Sequence, residues 1–318
     1  MKFSIGMPAF KVKYLNEAIS SILTQTYKDY ELIVINDCSP DNVEEVVLAF
    51  NDKRIKYYKN EKNLGAESIV KSWNKCLEKA RGEFFILMAD DDRIESKYLE
   101  EFNTLMNKYP GLDVYQCRCK IINENSIPIG LSPLCNEYES VYDSIWHRIK
   151  GFRTQFISNF VYRTEHLKKE GGFYDVPLAW GSDDISAFVA ASKKGVAYTK
   201  EPVFSYRKSP LSITSSGNLL KKLEAINDVK LWYTNFLKNE VSDENDKILR
   251  ESIKDYLPKY IKKKIIESLN NSFSGKPVNT IITAVSHKKE YNINNSDILL
   301  GMFFSIQNKL AKYVFKTN

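Results

Sequence analysis

The stretch Glu31-Leu32-Ile33-Val34-Ile35 constrains the fold more tightly than any other part of this 318-residue chain. A strand with one wet face alternates apolar and polar residues. An unbroken β-branched run is instead buried on both faces, as in a parallel sheet covered by helices on each side. The run stops at Asn36-Asp37-Cys38-Ser39-Pro40-Asp41, a cluster of turn and cap residues. Lys2 to Met7, ended by Pro8, reads as a strand of the same kind, as do Ile55 to Tyr58 and Phe84 to Met88. Between them, Leu15, Ala18, Ile19, Ile22 and Leu23 recur at helical spacing, then Val43, Val46, Val47 and Phe50, then Ile69, Trp73, Cys76, Leu77 and Ala80. Tyr98 to Tyr109 is helical again. The alternation predicts an α/β fold with a mostly parallel central sheet.

In such sheets ligands bind beyond the carboxyl ends of the strands. Asp37 follows the second strand, and Asp90-Asp91-Asp92 follows the fourth, so both are expected to line one crevice. Three adjacent carboxylates repel one another unless a cation or water compensates them. Their oxygens suit Mg²⁺ or Mn²⁺, which is commonly held by one or two carboxylates plus substrate phosphates. A solvated loop that caps the next helix would use the same residues. No glycine-rich phosphate loop is present, so a bound phosphate would be neutralised by metal and by basic side chains. Lys71, Arg153 and Arg207 are the candidates.

Composition narrows the classes further. Hydrophobic residues at 43% suit a globular protein, and no apolar run reaches the length of a membrane span. The opening Met1 to Pro8 lacks the apolar core of a signal peptide. Five cysteines show no zinc spacing, and Cys117 and Cys119 share a strand face, so a reduced, cytoplasmic protein is expected. The net charge is +6, with lysines dense from Leu219 onward, including Lys221-Lys222, Lys262-Lys263-Lys264 and Lys288-Lys289. Such a surface favours polyanions or an anionic membrane, or is simply a solvated helix face. No aromatic-interleaved basic motif points to nucleic acid.

Six segments in order carry a resemblance. They are Ser4 to Phe10, Leu15 to Tyr27, Tyr30 to Ser39, Asn63-Leu64-Gly65 with Trp73-Asn74-Lys75, Ala80-Arg81-Gly82-Glu83-Phe84, and Leu87-Met88-Ala89-Asp90-Asp91-Asp92. Over roughly residues 3 to 215 the chain resembles the family 2 inverting glycosyltransferases. The resemblance implies a GT-A fold over 1–215, with a Rossmann-like nucleotide half at about 1–95 and an acceptor half at about 96–215. It implies transfer of a sugar from a nucleotide-sugar, with UDP expected, to a hydroxyl acceptor. Asp37 matches the residue that recognises the base, and Pro8, Ala9 and Phe10 match the loop around base and ribose, with Lys71 and Asp90 nearby. Asp91 matches the DxD carboxylate that holds Mn²⁺ or Mg²⁺ on the diphosphate, with Asp90 or Asp92 helping. The chain departs from the pattern at Asn36, which replaces an acid, at Lys11, which replaces an asparagine, and at Ala89, which takes the place of the first DxD aspartate.

Trp180-Gly181-Ser182-Asp183-Asp184-Ile185 opens a helix that ends at Gly195, and it resembles the region where the family carries its catalytic base. Asp184 is the first candidate, with Asp183 in the alternative register. A base must be ionised and within hydrogen-bond reach of the acceptor hydroxyl; a helix N-terminus favours the charged form, and two N-capping aspartates would look the same. Glu201 to Arg207 looks like the closing strand, with Arg207 or Lys208 able to reach the diphosphate. Lys208 to Asn218 would suit a flap over the donor.

Residues 216–318 read as a helical appendage. Ile298 to Phe304 with Leu310, Tyr313, Val314 and Phe315 is strongly apolar and interleaved with Lys309, Lys312 and Lys316. It fits either a membrane interface or packing on the protein or a second subunit. Peripheral attachment to the inner membrane face would suit a lipid-linked saccharide acceptor in surface-polysaccharide synthesis. Two other functions fit less of the sequence: a non-catalytic nucleotide-sugar binder or assembly partner, which Ala89 would permit, and a nucleotidyltransferase, which would normally carry a glycine-rich loop.

Overall fold

A computed structural model describes residues 1–65, 68–208 and 218–314. The chain divides into two compact units, Met1–Asp175 with Ser182–Ser209, and Val176–Gly181 with Pro210–Asn318.

The first unit begins with β1 (Phe3–Ala9), α1 (Leu15–Leu23), β2 (Tyr30–Asn36), α2 (Val43–Leu48), β3 (Ile55–Lys59), α3 (Ile69–Lys79) and β4 (Phe84–Leu87). These strands are parallel, with β1 between β2 and β4. Every residue of β2 is buried, as its unbroken apolar run requires. Helix α1 turns Leu15, Ala18, Ile19 and Ile22 inward at the predicted spacing.

The unit continues with β5 (Arg93–Ile94), α4 (Tyr98–Lys108), β6 (Val114–Ile122), β7 (Pro128–Leu131), β8 (Tyr138–Glu139), α5 (Val141–Ile149), β9 (Phe160–Arg163), α6 (Thr164–Lys169), α7 (Ser182–Ala191) and β10 (Val196–Arg207). The sheet order is β3-β2-β1-β4-β9-β6-β10-β5, with β7 on β6 and β8 on β10. Strands β6 and β10 run parallel, whereas β9 joins β4 to β6 by antiparallel pairing. The sheet is therefore mixed, with most of its paired residues in parallel ladders.

The chain runs outward from β1 through β2 to β3, then returns to the other side of β1 with β4. That reversal opens a crevice at the carboxyl end of β1. Its underside is held by a buried polar contact between strands. Glu31 is buried in β2 and accepts from Ser4 Oγ at 2.7 Å and from the Arg81 guanidinium at 2.9 Å. Ser4 Oγ in turn accepts the Gly82 N–H at 2.7 Å. Residue 82 must be glycine, because a Cβ there would lie 2.6 Å from the backbone of Phe3 and Ser4. This explains the Arg81-Gly82 pair that precedes β4.

The second unit consists of α8 (Leu219–Phe236), α9 (Glu244–Gly275), α10 (Pro277–Ser286) and α11 (Asn295–Val314), with Val176–Gly181 attached. Asn218 and Asp243 cap α8 and α9, accepting the N–H groups of Lys221 and Asp246 at 2.9 and 3.0 Å. Lys222 lies 5.7 Å from the Trp180 ring. A Cβ at Gly181 would sit 2.8 Å from Val229 Cγ2. These contacts within the unit show why the short segment belongs with the helices, which linear sequence gave no sign of. No described helix is long and apolar enough to cross a membrane.

Replacing Gly82 with Ala should lower the urea midpoint by the equivalent of about 1–3 kcal/mol, the usual cost of overpacking. An unchanged midpoint would show that the Ser4–Gly82 approach is not tight.

Candidate active site at the switch point of the sheet

The carboxyl ends of β1, β2 and β4 converge as predicted. Asp37 N–H donates to Ala9 O at 3.0 Å, closing β2 onto β1. Asn36 Oδ1 accepts the Ser39 N–H at 2.9 Å, a local turn that lets Cys38 adopt a left-handed φ of 55°. Ser39 Oγ donates to Phe10 O at 2.5 Å. From the other side, one oxygen of Asp90 accepts the N–H groups of Phe10 and Lys11, both at 2.9 Å. Pro8 and Ala9 thus lie inside β1, and Phe10 emerges, exposed, held by the Asp90 carboxylate and the Ser39 hydroxyl.

Asp37 is buried and already holds three donors: Asn60 Nδ2 at 2.7 Å, Leu64 N–H at 2.9 Å and Gly65 N–H at 2.8 Å. Its carboxylate fixes the Asn63-Leu64-Gly65 turn against the crevice. Lys71 is exposed on the first turn of α3.

The acidic run divides by direction. Asp92 is buried; its carboxylate accepts the Arg207 N–H at 2.8 Å and lies 3.5 Å from Ser158 Oγ. It supports the loop from below, which moves it away from the metal role expected of it. Asp90 braces the β1 loop. Asp91 makes no ion pair among the described residues. Burial, followed by the charge of Asp90, lifts its carboxyl to about 6. Burial also raises Asp90 and Asp92, with Asp91 adding to the latter. Carboxylates that penalise one another's ionised form gain from a hard cation among them. Asp91, with Asp90 beside it, could hold a hard cation such as Mg²⁺ or Mn²⁺.

Two basic candidates prove to be structural. Arg207 is 1% exposed. It donates to Asp91 O at 2.7 Å, Asn123 O at 3.2 Å, Ser126 Oγ at 2.9 Å and Glu17 Oε2 at 2.8 Å, with Tyr14 stacked 4.1 Å away. Four of its five N–H donors are engaged with these protein acceptors, which makes it chiefly a brace. Arg153 is also buried and pairs with Glu139, beside His147. Glu139, Asp143 and His147 could together ligate a metal, but Arg153 already supplies the positive charge there. The group is an ion network that holds α5. The expected flap, 208–218, lies mostly outside the described residues.

Helix α7 presents both aspartates in its first turn. Arg148 of α5 donates its Nε to both oxygens of Asp184, at 3.0 and 2.9 Å. Asp183 is half-buried and accepts the Asp184 N–H at 2.9 Å. Burial and then the Asp184 charge lift its carboxyl to about 7, against the opposing field of Arg148. The neighbours thus have different chemistry, one neutralised and one poised near neutral pH. Arg148, Glu17 and Ser158 escape sequence reading because their partners lie 36 to 190 residues away.

Residues 4–168 match the model described as glycosyl transferase family 2. The chain is 37% identical over 125 residues to the UDP-Glc:alpha-D-GlcNAc-diphosphoundecaprenol beta-1,3-glucosyltransferase WfgD of Escherichia coli, covering 39% of this chain and 48% of that protein. An uncharacterized glycosyltransferase of Rickettsia typhi is 33% identical over 125 residues, 39% of this chain and 38% of that one. The chain spans under half the length of these curated relatives. Staphylococcus aureus TarS 1-349 in complex with UDP-GlcNAc superposes with a TM-score of 0.67 at 16% identity, over 98% of this chain and 92% of that one. This likeness establishes the fold.

Truncating Arg207 to Ala should destabilise the protein by about 3–5 kcal/mol, because Glu17 and several carbonyls lose their partner together. Thermal unfolding would measure it. A variant of normal stability with weakened nucleotide affinity would return Arg207 to the donor site.

Proposed function

The chain belongs to glycosyl transferase family 2, and we propose that it is an inverting, metal-assisted enzyme moving a sugar from a UDP-sugar to a hydroxyl acceptor. The observation that carries this is the pairing of an acidic run, beside an anchored loop at the β1 switch point, with a poised carboxylate on α7. The UDP donor is supported by the WfgD name and by the UDP-GlcNAc bound to TarS. A lipid-linked saccharide acceptor is supported by the WfgD name alone. The nucleotide half is taken as about 1–95 and the acceptor half as about 96–215.

Phe10, with Pro8 and Ala9 behind it, covers one side of the base and ribose, while Asp37 accepts from the base. Lys71, exposed on the first turn of α3, is the basic side chain assigned to the phosphates. Asp91, with Asp90, would hold Mn²⁺ or Mg²⁺, which when bound neutralises the charge building on the leaving diphosphate. The acceptor oxygen attacks the anomeric carbon as its bond to the diphosphate oxygen breaks. The hydroxyl proton passes to a carboxylate, and one displacement inverts the configuration.

That carboxylate is assigned to Asp183 rather than Asp184. A general base works best with a pKa near the operating pH, and Asp184 is already held by Arg148 through both oxygens. Asp184 then acts as the fixed neighbour that keeps Asp183 poised.

Asp183→Asn should lower transfer by about 10²–10⁴-fold, the range for losing a general base, while UDP-sugar still raises the melting temperature. Full turnover in this variant would remove Asp183 from the role. A base must be ionised, so kcat/KM should fall as pH drops through about 7. A profile flat down to pH 5 would contradict the assignment. Nucleotide-sugars should stabilise the native state by mass action, more so with Mn²⁺. Equal shifts with and without metal would mean donor binding without the ion.

A further inference from the structure

Helices α10 and α11 are amphipathic in the reverse sense. On α10 the buried residues are Thr280 and Ala284, whereas Val278, Ile281, Ile282 and Val285 are exposed. On α11 the buried positions are Asp297, Ile298, Gly301 and Ser305, mostly small or polar. Asp297 accepts from Lys262 Nζ at 2.6 Å, and Ser305 Oγ meets Ser274 Oγ at 3.1 Å. Gly301 lets the helices touch, since a Cβ there would lie 2.6 Å from Leu269 Cβ. The opposite face carries Leu299, Phe303, Ile306 and Leu310, at successive helical turns, with Leu299 65% and Phe303 60% exposed. A surface helix normally hides such a stripe, and contiguous exposed apolar faces mark interaction sites.

Charge identifies the occupant. Residues 219–318 carry seventeen basic and eleven acidic side chains, whereas residues 1–218 balance twenty-nine against twenty-nine. The whole +6 therefore lies in the segment that bears the apolar faces. Lys276 and Lys289 flank α10, and Lys309 lies on α11, all exposed. A second copy would set like charge against like, while an anionic lipid surface offers opposite charge beside an apolar phase. Neither helix is long and apolar enough to cross a membrane, which leaves the geometry of a helix lying in the interface.

The geometry points to α10 and α11 as a peripheral docking surface for anionic lipid, with apolar faces sunk at the acyl boundary and lysines on the headgroup phosphates. The test is flotation of the full chain with phosphatidylcholine vesicles, with and without phosphatidylglycerol. The chain should float with the anionic vesicles. Leu299→Ser with Phe303→Ser should weaken binding on the order of a hundredfold. Lys289→Ala and Lys309→Ala should each weaken it about fivefold. All four positions are exposed, so unchanged circular-dichroism melting and an unchanged UDP-sugar thermal shift serve as folding controls. Failure to float with either vesicle overturns the inference, as does full binding by the double serine variant. It is also overturned by light scattering that shows a dimer converted by those substitutions to monomer, which would give the face to a second copy.

Discussion

A single buried guanidinium holds the candidate site in shape. Arg207, at the end of β10, donates to the backbone after β4, to the turn following β6 and to Glu17 of α1. Its own N–H fastens Asp92. Burying an arginine is costly unless nearly every donor is satisfied, so its partners cannot move independently. Glu17 extends the linkage by accepting also from Arg93 at 2.9 Å and Ser126 at 2.7 Å. The loop bearing Asp90 and Asp91 is thereby set against the end of β1, where the sheet reverses direction.

The same physics separates carboxylates that look alike in sequence. In Asp90-Asp91-Asp92 one side chain braces a backbone loop, one turns inward, and Asp91 makes no ion pair among the described residues. In Asp183-Asp184 a guanidinium from another helix neutralises the second and leaves the first near neutral pKa. Burial raises the cost of ionisation for all of them. The supply of donors decides which carboxylate stays structural and which is available for chemistry.

Much of the fold was legible because its signals are local. The run through β2, the stripe of α1 and the turn at Asn36 to Ser39 each follow from neighbours within a few residues. The crevice followed as well, since strand ends in a parallel sheet align by geometry. The antiparallel insertion of β9, and the attachment of Val176–Gly181 to the helical unit, depend on contacts between distant segments, and no periodicity announces them. Arg153 and Arg207 read as free surface charges for the same reason: their partners Glu139 and Glu17 are remote in sequence.

The sequence by itself determined the strand and helix alternation, the family resemblance, and the acidic clusters at the ends of β2 and β4 and the start of α7. These rest on side-chain periodicity and chain-local turn chemistry, which one dimension records. Only the tertiary structure decided which aspartate of each cluster is occupied, that the buried arginines are braces, and that α10 and α11 turn their apolar faces outward. Each of those outcomes depends on which donor or surface folding brings within reach, and that distance is not encoded in spacing along the chain.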